Sequence, residues 1–283
     1  MITLVRVSDP DIRPTGAASR AAGAHGGAAE NRRLPSYAAG EIEVPFVAMP
    51  SAEVIPRDTF WEEHSHPTHE LLWNQRGSSS VTVGVRVWTI TPVLGLWIPA
   101  GAPHSGWTPA GTWHRAVHFG IHAVPSISER PVAVGITRLL RLLLDRLGAE
   151  DLTPSERART EAMVLDLLAP AENELLLRIP ESPLLAPIVE AVRADPADGT
   201  PLAVWAERLG VSTRTLTRAF HAETGLGFSR WLAAARVQQA IGMLARGEGI
   251  EAVAECVGYH SASAFGAAFR RVTGMSPARF RDQ

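Results

Sequence analysis

The stretch from His64 to Trp73, "HSHPTHELLW", sets three histidines and a glutamate within seven residues, and "WIPAGAPH" adds His104 behind a Pro-x-Gly turn. Imidazole nitrogens and a carboxylate are the groups that bind divalent metals and move protons. Such a set can hold a metal for catalysis, or it can belong to a sensor whose output lies elsewhere in the chain. His64 and His66 stand two apart, so a β-strand would turn both to one side. Glu63 and His69 are chemically able to replace a neighbour. Downstream, His114, His118 and His122 recur every fourth residue and would share a strand face.

The elements that must position these side chains are short. Between residues 40 and 125 the runs "EIEVPFVAM", "SVTVGVRVWTI", "VLGLWIPA" and "HRAVHFGIHAV" cluster β-branched and aromatic residues between Gly, Pro and Ser. This spacing predicts a small all-β sandwich or barrel. Six of the eight tryptophans fall there, and Trp61, Trp73, Trp88, Trp97 and Trp107 are candidates to line an apolar pocket. The expected effector pocket is built around Trp73, Trp97 and His118.

Residues 1–39, with "GAASRAAGAHGGAAENRR", lack the bulky apolar side chains that offset ordering entropy, so they predict a flexible arm in which His25 is incidental. Residues 126–182 change to a helical period. There Thr153 is an N-cap, Pro154 takes the first turn and Glu156 closes a capping box. Leu139, Leu140, Leu143, Leu144 and Leu147 form a wide apolar stripe for packing on the β domain and for a dimer contact. "LLLRIPESP" reads as a linker to residues 183–283.

Composition narrows the classes. An apolar content of 46% fits a globular protein with real cores, and no apolar run is long enough to span a membrane. The opening "MITLVRVSDPDIRP" is broken by acids and prolines where a secretory signal needs an apolar run, so a cytoplasmic location is expected. Cys256 is the single cysteine, which excludes an internal disulfide and a Cys-rich zinc module; it reads as half-buried on a helix. All 27 basic residues are arginine, which suggests a GC-rich bacterial genome. From Leu184 onward 11 arginines face 9 acids, a slight tilt toward a polyanionic partner.

The C-terminal third repeats itself. "LAVWAERLGVSTRTLTRAFHAETG" and "IEAVAECVGYHSASAFGAAFRRVTG" align, with Ala206, Gly210, Phe220 and Gly225 recurring as Ala254, Gly258, Phe269 and Gly274. The alanines let a second helix approach closely, the first glycine of each pair suits a turn with positive φ, and Ser212 and Ser261 can cap the helix that follows. Leu216/Phe220 and Phe265/Phe269 are then i,i+4 pairs facing a core. Each unit reads as a helix-turn-helix, whose second helix enters the major groove. "FSRWLAAARVQQAIGMLARG" between them predicts one helix of roughly nineteen residues, about 28 Å long. Successive major grooves on one face of DNA lie about 34 Å apart, so this helix has the length of a spacer.

From Leu202 to Arg281 the chain resembles the two-motif DNA-binding domain of the AraC/XylS family of bacterial regulators. The resemblance runs through Ala206, Gly210, Ser212, Arg214, Leu216, Arg218, Phe220, Gly225, Arg236, Ala240, Leu244, Ile250, Ala254 and Gly258. It continues through Ser263, Phe265, Phe269, Gly274, Ser276, Pro277 and Arg281. Trp231, Tyr259 and Phe280 stand where the family has other aromatics. The resemblance places base contacts on the first recognition helix at Arg214, Thr217 and Arg218, where arginine can grip guanine or hold phosphate. The second has Ala262, Gly266 and Ala267 where polar readers are common. It is left with His260, Ser261 and Ser263 for bases and Arg270 or Arg271 for phosphate. Ser212, Ser261, Arg230 and Arg236 are open to reading as caps or surface charges.

The first cluster has its own resemblance. HxHxxxExxxxxxG, from His64 to Gly77, is similar to the first cupin motif, and "PAGAPH" to the second. Asp58, Val93 and Thr108 depart from it at turn positions. The resemblance implies His64, His66, Glu70 and His104 as ligands of a divalent transition metal, of which Fe, Mn, Ni, Co and Zn suit the donors. The fold expected is thus two-domain. An N-terminal all-β cupin-like barrel with connecting helices precedes a C-terminal all-α domain, in which a long helix joins two helix-turn-helix motifs. The function expected is that of a one-component transcriptional regulator, an activator by resemblance, without catalysis. The alternative is a metal-dependent cupin enzyme fused to a DNA-binding domain. The partners implied are double-stranded promoter DNA, a small-molecule effector, a second copy of the chain and RNA polymerase, with no membrane.

Overall fold

The computed structural model describes residues 29–281. Eleven strands and nine helices follow one another in these residues. The strands are β1 (Glu30–Arg32), β2 (Ala48–Val54), β3 (Thr59–His64), β4 (His69–Arg76), β5 (Ser79–Val83), β6 (Arg86–Ile90), β7 (Leu94–Ile98), β8 (His104–Thr108), β9 (Trp113–Phe119), β10 (Val132–Gly135) and β11 (Leu176–Arg178). They form two sheets, ordered β1-β3-β8-β5-β6-β11 and β10-β7-β4-β9-β2. They make up the N-terminal β-rich domain that the sequence predicts, built of two sheets.

Strand alternation decides what each sheet faces. On β4, Glu70, Leu72 and Asn74 point one way and His69, Leu71 and Trp73 the other, yet all six are buried. The second face is covered by α1 (Arg138–Leu147) and α2 (Pro154–Leu167). Leu140, Leu144, Leu147 and Val164 join Leu71, Trp97 and Val117 in one core. On the same side the Arg115 guanidinium, across from Trp73 in the ladder, meets Asp145 of α1 at 2.7 Å. Thr137 caps α1, and Thr153 with Glu156 closes the predicted capping box of α2. Of the leucine stripe, Leu139 faces outward, as do Leu142 and Met163; all three are about half-exposed.

Two expectations are corrected. The arm expected over residues 1–39 enters the sheet at its end: β1 pairs in parallel with β3, and Ser36 bridges to Ser65. The pairing is held by backbone groups, by Asn31 donating to Glu62 of β3 and by Arg32 lying over Trp61, while Arg32 also ties β1 to Glu53 of β2, so it needs none of the apolar bulk whose absence suggested an arm. Residues 1–28, His25 among them, lie outside the described residues. Secondly, "LLLRIPESP" is more than a linker, because β11 completes the six-stranded sheet beside β6.

The C-terminal domain comprises α3 (Ala186–Ala194), α4 (Leu202–Arg208), α5 (Thr213–Thr224), α6 (Phe228–Ala245), α7 (Ile250–Cys256), α8 (Ala262–Thr273) and α9 (Pro277–Arg281). The repeat in the sequence is a repeat in hydrogen bonds. Ser212 caps α5 and Ser261 caps α8. Gly225 and Gly274 end these helices at φ 75° and 78°, and Thr224 and Thr273 bond back to Phe220 and Phe269. The 18 residues of α6 span about 27 Å. Its Trp231 and Ala235 fill the core of the first unit, with Leu216 and Phe220. Its Val237, Ala240, Ile241 and Leu244 fill the core of the second, with Phe265 and Phe269. Arg236, between the two sets, bonds the carbonyls of Pro196, Asp198 and Gly258, and so is a bolt between the units instead of a surface charge. Cys256 is exposed, not half-buried, at the end of α7.

The chain joins the domains through three adjacent leucines. Leu175 packs into the core of the second unit, Leu176 into that of the β domain and Leu177 into that of the first unit. Among the described residues no helix is long and apolar enough to cross a membrane.

Candidate functional site

Three segments bring the histidine cluster together. His64 ends β3, after a bulge in its pairing with β8, and His104 opens β8 directly across from it. His66 follows in the turn before β4, past the end of the strand, and Glu70 comes from β4. The ligand-competent atoms of His64, His66 and His104 all lie within 4.8 Å of one another. Glu70 Oε2 stands 3.5 Å from both His66 Nε2 and His104 Nε2. Glu70 and His118 face each other in the β4–β9 ladder, and His118 Nε2 is 3.8 Å from Glu70 Oε1.

The tautomers are set by the backbone. His64 Nδ1 meets the carbonyl of Glu62 at 2.7 Å, and His104 Nδ1 that of Ala102 at 2.9 Å. A carbonyl can only accept, so each Nδ1 carries a proton, and in the neutral ring Nε2 then turns its lone pair inward. Thr68 Oγ1 holds His118 Nδ1 at 3.0 Å. Burial pushes His66 down to about 4, against the pull of Glu70, so its ring is neutral at pH 7. Burial alone would raise Glu70, but the imidazoles around it hold it below the usual carboxylate range. Burial likewise works to lower His104, but the Glu70 carboxylate outweighs it and raises that imidazole.

The donor set fits a metal ion. Glu70 Oε2 is buried and makes no close hydrogen bond, so the two imidazoles at 3.5 Å are its nearest polar neighbours. Its 3.5 Å separations match the edge of a tetrahedron whose corners lie about 2.1 Å from a centre, roughly 3.4 Å. The His64, His66 and His104 cluster can therefore hold a divalent ion, with Glu70 placed beside it.

Of the neighbours that could have substituted, His69 points the other way. Its Nδ1 accepts from Ala100 N–H at 3.0 Å and its ring lies against Trp97. Glu63 is exposed. Trp73 and Trp97, expected to line the pocket, are corrected by the same parity. They share the face of His69 and Leu71 and pack under the helices, and the Trp97 indole N–H bonds Ser126. His118 remains on the inner face. The aromatic surface there comes from Trp61, which stacks on His114 at 5.9 Å and bonds Thr108 through its indole N–H. His122 lies beyond the end of β9 and is exposed. Thr68, which orients His118, was not singled out from the sequence; its signal was a hydroxyl inside the histidine motif.

The second candidate surface is on the helices. Arg214, Thr217 and Arg218 are exposed on α5, one face away from the buried Leu216 and Phe220. Neither arginine has a hydrogen bond or ion pair among the described residues. The Thr217 hydroxyl bonds back to the carbonyl of Thr213. On the second unit His260, Ser261, Ser263, Arg270 and Arg271 are exposed. The hydroxyls of Ser212 and Ser261 serve as caps, accepting from Thr215 and Ala264 N–H. The first unit thus presents two unpaired guanidinium groups near its helix start, while the second presents small side chains there with its arginines further along.

Comparison with known proteins gives matches to both halves. Residues 52–168 match the family model of the AraC-like ligand binding domain, and residues 205–283 match that of a helix-turn-helix domain. The HTH-type transcriptional regulator NimR of Escherichia coli K12 is 27% identical over 224 residues, covering 77% of this chain and 81% of NimR. The HTH-type transcriptional regulator RipA of Corynebacterium glutamicum is 44% identical over 108 residues, which is 36% of this chain and only 33% of RipA. Among solved structures, ToxT of Vibrio cholerae aligns at 12% identity over 84% of this chain and 98% of ToxT, with a TM-score of 0.36.

Proposed function

Because the chain belongs to the AraC family of transcriptional regulators, with a ligand-binding β domain ahead of a helix-turn-helix domain, we propose that it is a one-component activator responding to a small molecule through a divalent transition metal. His64, His66, His104 and Glu70 would hold the ion, from among Fe, Mn, Ni, Co and Zn. When bound, it supplies a fixed positive anchor for an oxygen- or nitrogen-bearing effector. The chain's own residues do the rest. Carbonyls of Glu62 and Ala102 fix the two imidazoles, Thr68 aims His118 into the same space, and Trp61 with His114 forms a flat wall.

The response passes to DNA as a population shift, in which the effector favours one arrangement of the two domains. Arg214, Thr217 and Arg218 read bases in promoter DNA, helped by His260 and Ser263. Arg270 holds phosphate, and Ser212 and Ser261 set the two helices in place. The exposed Leu139, Leu142 and Met163 offer an apolar face to a second copy, and RNA polymerase is the partner through which activation acts.

The observation that carries the metal reading is the buried Glu70 Oε2, which makes no close hydrogen bond and stands 3.5 Å from two imidazole nitrogens. The test is metal analysis of purified protein together with promoter binding before and after chelation. The expected result is about one ion per chain, a change of promoter affinity on chelation, and the same change in His104→Ala without chelator. Occupancy near zero with promoter binding indifferent to chelation ends the metal reading and leaves the DNA reading standing.

A further inference from the structure

The joint between the domains brings like charges together. Arg86 of β6 and Arg178 of β11 are direct partners in an antiparallel ladder, where equal charges repel. Arg130, on the approach to β10, lines the same cleft, a space of about 240 Å³ at the lateral edge of the two sheets. Among the described residues none of the three guanidinium groups has a hydrogen bond or ion pair. The one acid lining the cleft is Glu174, whose Oε1 already accepts from Ala133 N–H at 3.0 Å. Three positive charges therefore face one negative.

Trp88, two residues from Arg86 on the same strand face, gives the cleft an apolar wall. Three guanidinium groups gathered in one cleft with no free acid lack an acceptor with negative charge. Guanidinium forks match carboxylate and phosphate oxygens in pairs, and the excess of two charges fits a dianion. The volume equals that of about eight water molecules, enough for a phosphate ester or a short dicarboxylate.

We propose that this cleft is a binding site for a small doubly charged oxyanion, separate from the histidine cluster. Such a ligand relieves the repulsion between Arg86 and Arg178 and so tightens β11 onto β6. The main-chain carbonyl of Arg178 accepts from Trp231 of the DNA-binding domain, so the site grips the segment that holds the two domains together.

The test uses the full chain at low ionic strength with chelator present, so that the histidine cluster contributes nothing. Inorganic phosphate and succinate are titrated calorimetrically, and thermal unfolding is followed in each against chloride at equal ionic strength. One or both should bind and raise the unfolding temperature beyond chloride; phosphate alone identifies a phosphate ligand, succinate alone a carboxylate. Arg86→Gln and Arg178→Gln should each weaken binding about tenfold or more. In the absence of anion each should unfold at a higher temperature than the parent, because one repelling charge is gone. Arg130→Gln, outside the ladder, should lose binding in the same way and serves if a strand variant fails to fold. Arg214→Ala should keep the full response, which separates the cleft from the DNA-binding face. No response beyond chloride, or an equal response in the parent, Arg86→Gln and Arg130→Gln, overturns the proposal.

Discussion

The indole N–H of Trp231 donates to the main-chain carbonyl of Arg178 at 2.9 Å, joining the long helix of the DNA-binding domain to the last strand of the β domain. Trp231 is 1% exposed and packs on Phe220, so ring and hydrogen bond act from one buried position. Replacing Trp231 with Phe keeps most of the packing and removes the donor, leaving the Arg178 carbonyl unpaired. A loss of about 1 kcal/mol or somewhat more is expected in urea unfolding. The response of promoter affinity to effector should also be blunted. Unchanged stability together with an unchanged response would show that this bond carries no coupling.

Arg214→Ala and Arg218→Ala should each weaken promoter binding, measured by fluorescence anisotropy at several salt concentrations. A base contact costs about 1–3 kcal/mol and relaxes the preference at one position of the site. A phosphate contact weakens all sequences alike and lowers the salt slope by about one. Ser263→Ala on the second unit should change affinity less than either, since small side chains surround it. Tight, salt-insensitive binding by the Arg214/Arg218 double variant would remove α5 from the interface.

Gly258 and Gly210 separate two costs of the same substitution. Both hold positive φ, 77° and 65°, so Ala at either position is strained by about 1–2 kcal/mol. A Cβ at Gly258 would also stand 2.7 Å from Ala197 Cα and 2.8 Å from Arg236 Nη2, whereas nothing lies within 4 Å at Gly210. Gly258→Ala should therefore be the more damaging in chemical denaturation. Equal losses would mean that the contact of the 195–198 loop with the second unit yields freely.

Glu223 offers a pH test away from the histidines. Burial would raise its carboxyl, but the Ser182 and Glu181 N–H groups, at 3.0 and 2.8 Å, hold it below its ordinary value. Its folded-state value is depressed, so its contribution is present above the unfolded value, about 4.3, and is lost as pH falls through the folded one. The stability gap between the parent and Glu223→Gln should be largest near neutral pH and close in acid. A gap that widens on acidification would contradict the assignment.

Much of the DNA-binding half could be read in advance because its signals are local. Ser212, Gly225, Ser261 and Gly274 cap helices through bonds within a few residues, and their repetition marks the two units. The spacing of His64, His66, Glu70 and His104 was legible for a similar reason, although His66 reaches the cluster from beyond the strand end. Trp73 and Trp97 were not, because a central strand buried on both faces gives no contrast between inside and outside. The sequence also hid β11. Three leucines in a row have no period, and only the arrangement of the two domains shows that each has its own destination.

That arrangement restricts how the protein can be cut and rejoined. A chimera that takes its ligand-binding half from this chain and its reading half from a relative has no crossover that keeps all three contacts intact on either side of "LLLR". A junction downstream of Ile179 gives Leu175 and Leu177 foreign cavities, and one upstream of Leu175 gives Leu176 a foreign one. Adding a single codon just before Leu175 would shift all three leucines together against the β domain, turning each away from the core it now fills. The damage would be collective, with no graded intermediate.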